Sequence, residues 1–173
     1  AIATTLCRYP LPPMIIDPVM VSTSGSRLME PDALSLFQAT LLPLSTLLTP
    51  NIPEAELLAG RPIHGLEDMK AAARQILQMG PKAVLVKGGH GQGREKTDLL
   101  LIDGSFHTFS SATISTRNTH GTGCTLSSAI ASFVARGQGI CEAVASAKAY
   151  LYEALRAGAD VSVGEGHGPV NHF

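Results

Sequence analysis

Cys124 occupies a place in this chain that invites a chemical question. It stands in "NTHGTGCTLSSAIASFVARG", Asn118–Gly137, where polar residues and glycines give way to small and apolar ones at helical spacing. A helix beginning near Gly121 leaves the backbone N–H groups of Gly121, Thr122, Gly123 and Cys124 as its unpaired first-turn donors. With the helix dipole they make a cradle for an anion. The glycines let a phosphate approach the main chain, and Thr119, Thr122 and Thr125 add hydroxyl donors. A cysteine at a helix amino terminus is more thiolate-like than an ordinary one. Cys124 is therefore placed to take a proton from a hydroxyl that attacks phosphorus. The plain alternative is a flexible "GTG" turn, with Cys124 as a small buried hydrophobe. The pattern GxxxxGK[ST] is absent, which excludes that particular phosphate device.

Three further motifs suit the same chemistry. "TPNIPEAE" sets Asn51 and Glu54 three residues apart around a helix start, where their side chains face one way. They can hold Mg²⁺ through water and so orient the phosphates of ATP, or they can simply cap the helix. Asp17, in "IIDPVM", ends an apolar run. It is either a second metal-side or proton-handling carboxylate or a turn residue before Pro18. Lys87, in "VKGGHG", can neutralise a polyphosphate as a point charge, or be a solvated lysine in a turn. Each motif alone says little; together, at predicted element ends, they converge on phosphoryl chemistry.

The elements that must position these residues alternate along the chain. Met14–Asp17, Ser45–Asn51 and "KAVLVKGGH" read as short strands, and Asp98–Ser110 as a hairpin turning at Asp103–Gly104. Helical spacing marks Pro31–Leu42 and "IPEAELLAG", the latter with Pro53 at its start and Gly60 past its end. It also marks the run through Leu66, Met69, Ala73, Ile76 and Leu77, and Gly139–Arg156. "AIATTLCRYPLPPMIID" reads as the tail of a helix and a linker into a strand, and "GEGHGPVNHF" as a loop. This order predicts an α/β fold with a mostly parallel sheet, the hairpin being the exception. Such sheets bind ligands beyond the carboxyl ends of their strands, where Asp17, Asn51–Glu54 and Lys87–His90 fall.

Composition narrows the function classes. With 173 residues the chain suits one domain with a real core, residues 1–173 together. The 13 Lys and Arg nearly balance the 14 Asp and Glu, so no field draws nucleic acid or an anionic membrane. There is no apolar run of about twenty residues, and a membrane span is not expected. Three cysteines (Cys7, Cys124 and Cys141) without metal-ligand spacing suit a reduced, intracellular chain. The six histidines are scattered, with neither HExxH nor CxxC, so a structural zinc is not expected.

"DPVM", "LLPL…TPNIPEAELL", "VLVKGGH", "NTHGTGCTLSSAIA" and "GPVNHF", in this order, resemble the hydroxymethylpyrimidine/phosphomethylpyrimidine kinases of thiamine biosynthesis, in the ribokinase-like superfamily. The resemblance implies a three-layer α/β/α sandwich and ATP- and Mg²⁺-dependent phosphorylation of the pyrimidine and its monophosphate. It implies that Gly121, Thr122 and Gly123 form the anion hole and that Cys124 takes the general base's place against the substrate oxygen. By the same carry-over Lys87, with Asn51 and Thr119, faces ATP, Asp17 and Glu54 lie on the Mg²⁺ side, and Val19 walls the pyrimidine. A cytoplasmic homodimer is expected. The family's amino-terminal third has no counterpart here, so these residues are expected to be the back portion of a longer enzyme. A pyridoxal or pyridoxine kinase, and a non-catalytic ligand-binding module on the same scaffold, are the competing readings.

Overall fold

Short apolar runs become the strands of one sheet. The computed structural model describes residues 1–20, 28–89, 93–162 and 164–173, so His90 of the Lys87–His90 turn lies outside the described residues. The strands are β1 (Ile15–Ile16), β2 (Leu47–Leu48), β3 (Ala83–Val86), β4 (Glu95–Ile102) and β5 (Ser105–Ala112), side by side in that order. β1 pairs parallel with β2, and β2 with β3, whereas the β3–β4 and β4–β5 ladders are antiparallel. Only β4 opposes the common direction, yet half the ladders are antiparallel. The sheet is therefore mixed, with four of the five described strands in one direction and the hairpin as the expected exception. The cause is local: Asp103 and Gly104 both take left-handed φ, 48° and 73°, the geometry of a two-residue hairpin turn. That turn lays β5 directly beside β4.

Alternation along the strands sorts their side chains into two cores. Leu48, Val84, Val86, Leu99 and Leu101 face α2 (Pro31–Thr40), α3 (Ile52–Ala59) and α4 (Leu66–Leu77). Leu47, Ala83, Leu85 and Leu100 face α5 (Thr122–Ala135) and α6 (Ile140–Gly158). The result is a three-layer α/β/α sandwich. α1 (Ile2–Leu6) precedes β1. Strands buried on both faces read as continuous apolar runs, and each fully buried Leu or Val contributes about 1.5–3 kcal/mol.

The helices form for legible reasons. α4 buries Met69, Ala72, Ala73 and Ile76 on one stripe, with Glu67 and Asp68 in its first turn and Arg74 in its last complementing the dipole. α3 ends at Gly60, whose φ of 63° suits a residue without a side chain. β1 and β2 are shorter than the runs Met14–Asp17 and Ser45–Asn51, since Pro18 and Pro50 bring no N–H to a ladder. α2 stops at Thr40, where a 3₁₀ turn over Leu42–Leu44 takes up Pro43. α6 continues two residues past Arg156, and the carbonyl of its last residue, Gly158, accepts from the Asn118 amide.

Candidate active site

The carboxyl ends of the three parallel strands meet the amino end of α5. Asp17 follows β1, Thr49 follows β2 and Lys87 follows β3. The Lys87 ammonium donates to Asp17 Oδ1 at 2.6 Å, the two side chains being 11% and 16% exposed. Thr49 Oγ1 lies 3.3 Å from the same carboxylate oxygen and 2.9 Å from Ser127 Oγ, and Ser127 donates to the Gly123 carbonyl at 3.1 Å. A polar chain thus runs from the first turn of α5 through two hydroxyls to the ion pair. A Cβ built on Gly123 would stand 3.3 Å from Lys87 Nζ and 4.0 Å from Asp17 Oδ2. Cation, carboxylate and glycine backbone share one small space.

The first turn of α5 is a main-chain surface. Its N-cap, Gly121, has a φ of 84°, and no side chain caps the helix. A position with that φ strains any residue bearing a Cβ. Gly121 is partly buried, as are Thr122 and Gly123, and Cys124 is exposed. The loop ahead is tied down by Asn118, whose amide donates to the carbonyls of Gly158 and Val161, both at 2.6 Å. His120 N–H donates to the Gly168 carbonyl at 3.1 Å, so the "GPVNHF" segment braces the same loop. Behind Asn118 lies an open cleft of about 650 Å³, bordered by Thr116, Arg117, Asp160 and Glu165.

Asn51 and Glu54 form a full capping box. The Glu54 N–H donates to Asn51 Oδ1 at 2.9 Å, and the Asn51 N–H to Glu54 Oε2 at 2.8 Å. The Met20 N–H reaches Glu54 Oε1 at 3.4 Å. The box is also part of the site, because Lys87 N–H donates to the Pro50 carbonyl at 2.8 Å and Lys87 bridges to Asn51. Glu54 is 2% exposed. Burial pushes its carboxyl above the ordinary value of 4.5, against the pull of the Asn51 N–H and the Lys87 charge, while Asp17 adds to the rise.

These residues suit a magnesium ion that arrives on a nucleotide. Among the described residues no group of three His, Cys, Asp or Glu gathers to hold a metal. Mg²⁺ does not need one, because it keeps several waters and takes one or two carboxylates plus substrate phosphates. Asp17 has Oδ1 toward Lys87 and Oδ2 on the Gly123 side. The Glu54 oxygens already accept backbone N–H groups. Asp17 therefore fits as the direct donor, with Glu54 as charge behind it.

Asp17, Lys87 and Gly123 are thus gathered, with Asn51 and Glu54 alongside. Val19 and Thr119 are exposed and held by turn bonds, Val19 N–H to the Asp17 carbonyl and Thr119 N–H to that of Arg117, both at 3.0 Å. Sequence reasoning missed Thr49, Ser127 and Asn118. Ser127 carried a signal, since it lies four residues after Gly123 on one helix face. Thr49 adjoined the strand end already singled out.

The family profile described as phosphomethylpyrimidine kinase matches residues 1–171. The chain belongs to that family. It is 49% identical over 160 residues to a hydroxymethylpyrimidine/phosphomethylpyrimidine kinase of Rhizobium meliloti, a match covering 92% of this chain and 60% of the relative. The phosphomethylpyrimidine kinase of Clostridium difficile superposes with a TM-score of 0.77 at 43% identity, over 89% of this chain and 62% of that one. A Staphylococcus aureus pyridoxal kinase in complex with AMP-PCP superposes at 0.89 with 31% identity, over 98% and 61%. The chain therefore spans about 60% of the length of these three proteins, and its three layers are those of the ribokinase-like fold.

Proposed function

We propose that this chain carries the phosphoryl-transfer site of an ATP-dependent kinase acting on hydroxymethylpyrimidine and its monophosphate. The observation that carries the reading is the Lys87–Asp17 pair lying against the uncapped, glycine-built first turn of α5. Phosphoryl transfer asks a protein for positioning and charge stabilisation, and this geometry offers both. Gly121 and Gly123 present N–H groups to the phosphoryl oxygens, where fixed donors act without reorganising; the Thr122 N–H, which donates to the Thr119 carbonyl at 3.4 Å, joins them on leaving that bond. Lys87 turns from Asp17 to the phosphates. Cys124 Sγ takes the proton of the attacking hydroxyl. Asn51 holds the β3 end in place through its bridge to Lys87, Thr119 adds a hydroxyl beside the phosphates, and Val19 offers an apolar wall to the pyrimidine. The cleft behind Asn118 receives the nucleoside end, next to the loop that leads into the cradle. Asp17, backed by Glu54, would hold Mg²⁺, which when bound neutralises phosphate charge.

The higher identity to pyrimidine kinases favours the pyrimidine over pyridoxal as acceptor, although the pyridoxal kinase superposes well. Three free cysteines suit a reducing cytoplasm, and no described helix is long and apolar enough to cross a membrane. A homodimer completes the reading, with exposed Leu28 and Leu36 as apolar surface for it; light scattering measures that state.

The deciding experiment incubates Mg·ATP with hydroxymethylpyrimidine, its monophosphate or pyridoxal and reads products by mass spectrometry. It uses the chain alone and joined to the portion of a relative that it does not match. Sequential mono- and diphosphate formation, lost in Cys124→Ala while the fold persists, is expected. A pyridoxal product alone overturns the acceptor; binding without turnover in both forms overturns catalysis.

A further inference from the structure

Asp98 opens the buried half of β4, directly before the apolar run Leu99–Ile102, and it is 4% exposed. One of its oxygens accepts the Gly88 N–H at 2.8 Å, and the other takes the Lys148 ammonium of α6 at 2.6 Å. The two side chains are 6% and 11% exposed. A buried carboxylate is retained at a cost unless its lone pairs are used, and here both oxygens are used on one task. Gly88 is the residue after Lys87. It lies flush against β4, where a Cβ would run into the Thr97 carbonyl oxygen. On the other side, Lys87 N–H is held by the Pro50 carbonyl at 2.8 Å.

We propose that the Asp98–Lys148 pair positions Lys87 for the phosphate end of the nucleotide, an inference that rests on the reading of Lys87 given above. A lysine side chain is a flexible four-carbon stem, so its ammonium can be aimed only from a fixed backbone. The main chain of Lys87 and Gly88 is clamped by Pro50, just past the end of β2, and by Asp98 of β4. Lys148 makes the second clamp durable: it neutralises Asp98 and ties β4 to α6, while the charge strengthens the Gly88 hydrogen bond. Asp98 and Lys148 touch no substrate in this account; they are positioning residues.

The test measures ATP and adenosine affinity by calorimetry, in the form of the protein that turns over, for Lys148→Met, Lys148→Arg, Asp98→Asn and Lys87→Met. Lys148→Met and Asp98→Asn are expected to weaken ATP about tenfold, a loss of about 1.4 kcal/mol, and to leave adenosine within twofold. Lys148→Arg, which keeps the cation, is expected to restore ATP binding. Equal loss of ATP and adenosine would mean general damage and would overturn the proposal. So would unchanged ATP affinity in the pair variants while Lys87→Met weakens it. Unchanged ATP affinity in Lys87→Met would remove the reading of the site itself, and this proposal with it. Should Lys148→Met not fold, the double variant Asp98→Asn/Lys148→Met, which leaves no unpaired buried charge, decides by the same criteria.

Discussion

Gly123→Ala separates stability from activity. Gly123 is the second residue of α5 and its φ lies outside the left-handed region, so alanine fits the backbone. In a helix, alanine is favoured over glycine by up to about 1 kcal/mol. The new methyl would stand 3.3 Å from Lys87 Nζ and 4.0 Å from Asp17 Oδ2. Lys87 must yield by a few tenths of an ångström. The four-carbon stem allows so small a shift while the ammonium stays paired with Asp17. The net effect on folding is neutral to about +0.5 kcal/mol, or a rise in Tm of about 1–2 °C for a chain of this size. Activity behaves otherwise on the proposed reading, in which the methyl would occupy the surface offered to the phosphoryl oxygens by the α5 N–H groups. Losing one such donor costs about 10²–10³-fold in rate, and a fall in kcat/KM of about 10²-fold is expected. Thermal melting and an ADP-release assay on one preparation read both quantities. Activity within twofold of the parent would refute the phosphate cradle, and a Tm lower by more than about 5 °C would refute the packing argument.

Other perturbations probe the supports of the site. Gly88→Ala drives a methyl into the Thr97 carbonyl; it is expected to cost about 3 kcal/mol, read from urea midpoints. Asn118→Ala leaves the Gly158 and Val161 carbonyls without their donor, at about 2–3 kcal/mol; faster amide exchange over 119–124 would show the α5 loop loosening, and unchanged exchange would refute its role as a brace. For Glu54, burial raises the folded-state pKa above 4.5, so the folded chain holds this proton to higher pH than the unfolded one. Its contribution to stability is full below about pH 4.5 and is lost as pH rises through the folded value. Glu54→Gln should flatten that decline between pH 4.5 and 7 in chelator-treated buffer, and an unchanged slope in urea midpoints would contradict the desolvation argument.

The sequence carried those parts of the fold that local chemistry decides. The hairpin was legible because Asp-Gly sits between alternating runs, and α4 because its stripe and end charges agree. Strand lengths at β1 and β2 were overread, since a ladder ends where the neighbouring strand stops pairing or a proline withholds an N–H, neither of which hydropathy records. The gathering at the site was only half visible. Asp17, Asn51, Glu54, Lys87 and the α5 glycines were placed at element ends, but not the ion pair between Asp17 and Lys87, which are 70 residues apart. Nor was the use of Asp98 foreseeable in detail. A carboxylate within "TDLLLI" signals a buried charge, but its partner 50 residues on is chosen by how α6 docks.

That ion pair explains how a lysine can stand nearly buried at this strand end. A lone ammonium at 11% side-chain exposure would pay for its desolvation, and Asp17 removes most of that cost at 2.6 Å. The same pairing holds the ammonium beside Gly123, and on the proposed reading this limits the side-chain entropy lost when phosphate binds. On the proposed reading a triphosphate competes with one carboxylate that is still 16% exposed, not with a sealed pair. Asp17 in turn is steadied by Thr49 from β2 and, through Ser127, by α5. Asp17 and Lys87 are thus each held by an element other than its own, which lets three strand ends and one helix end act as a single surface.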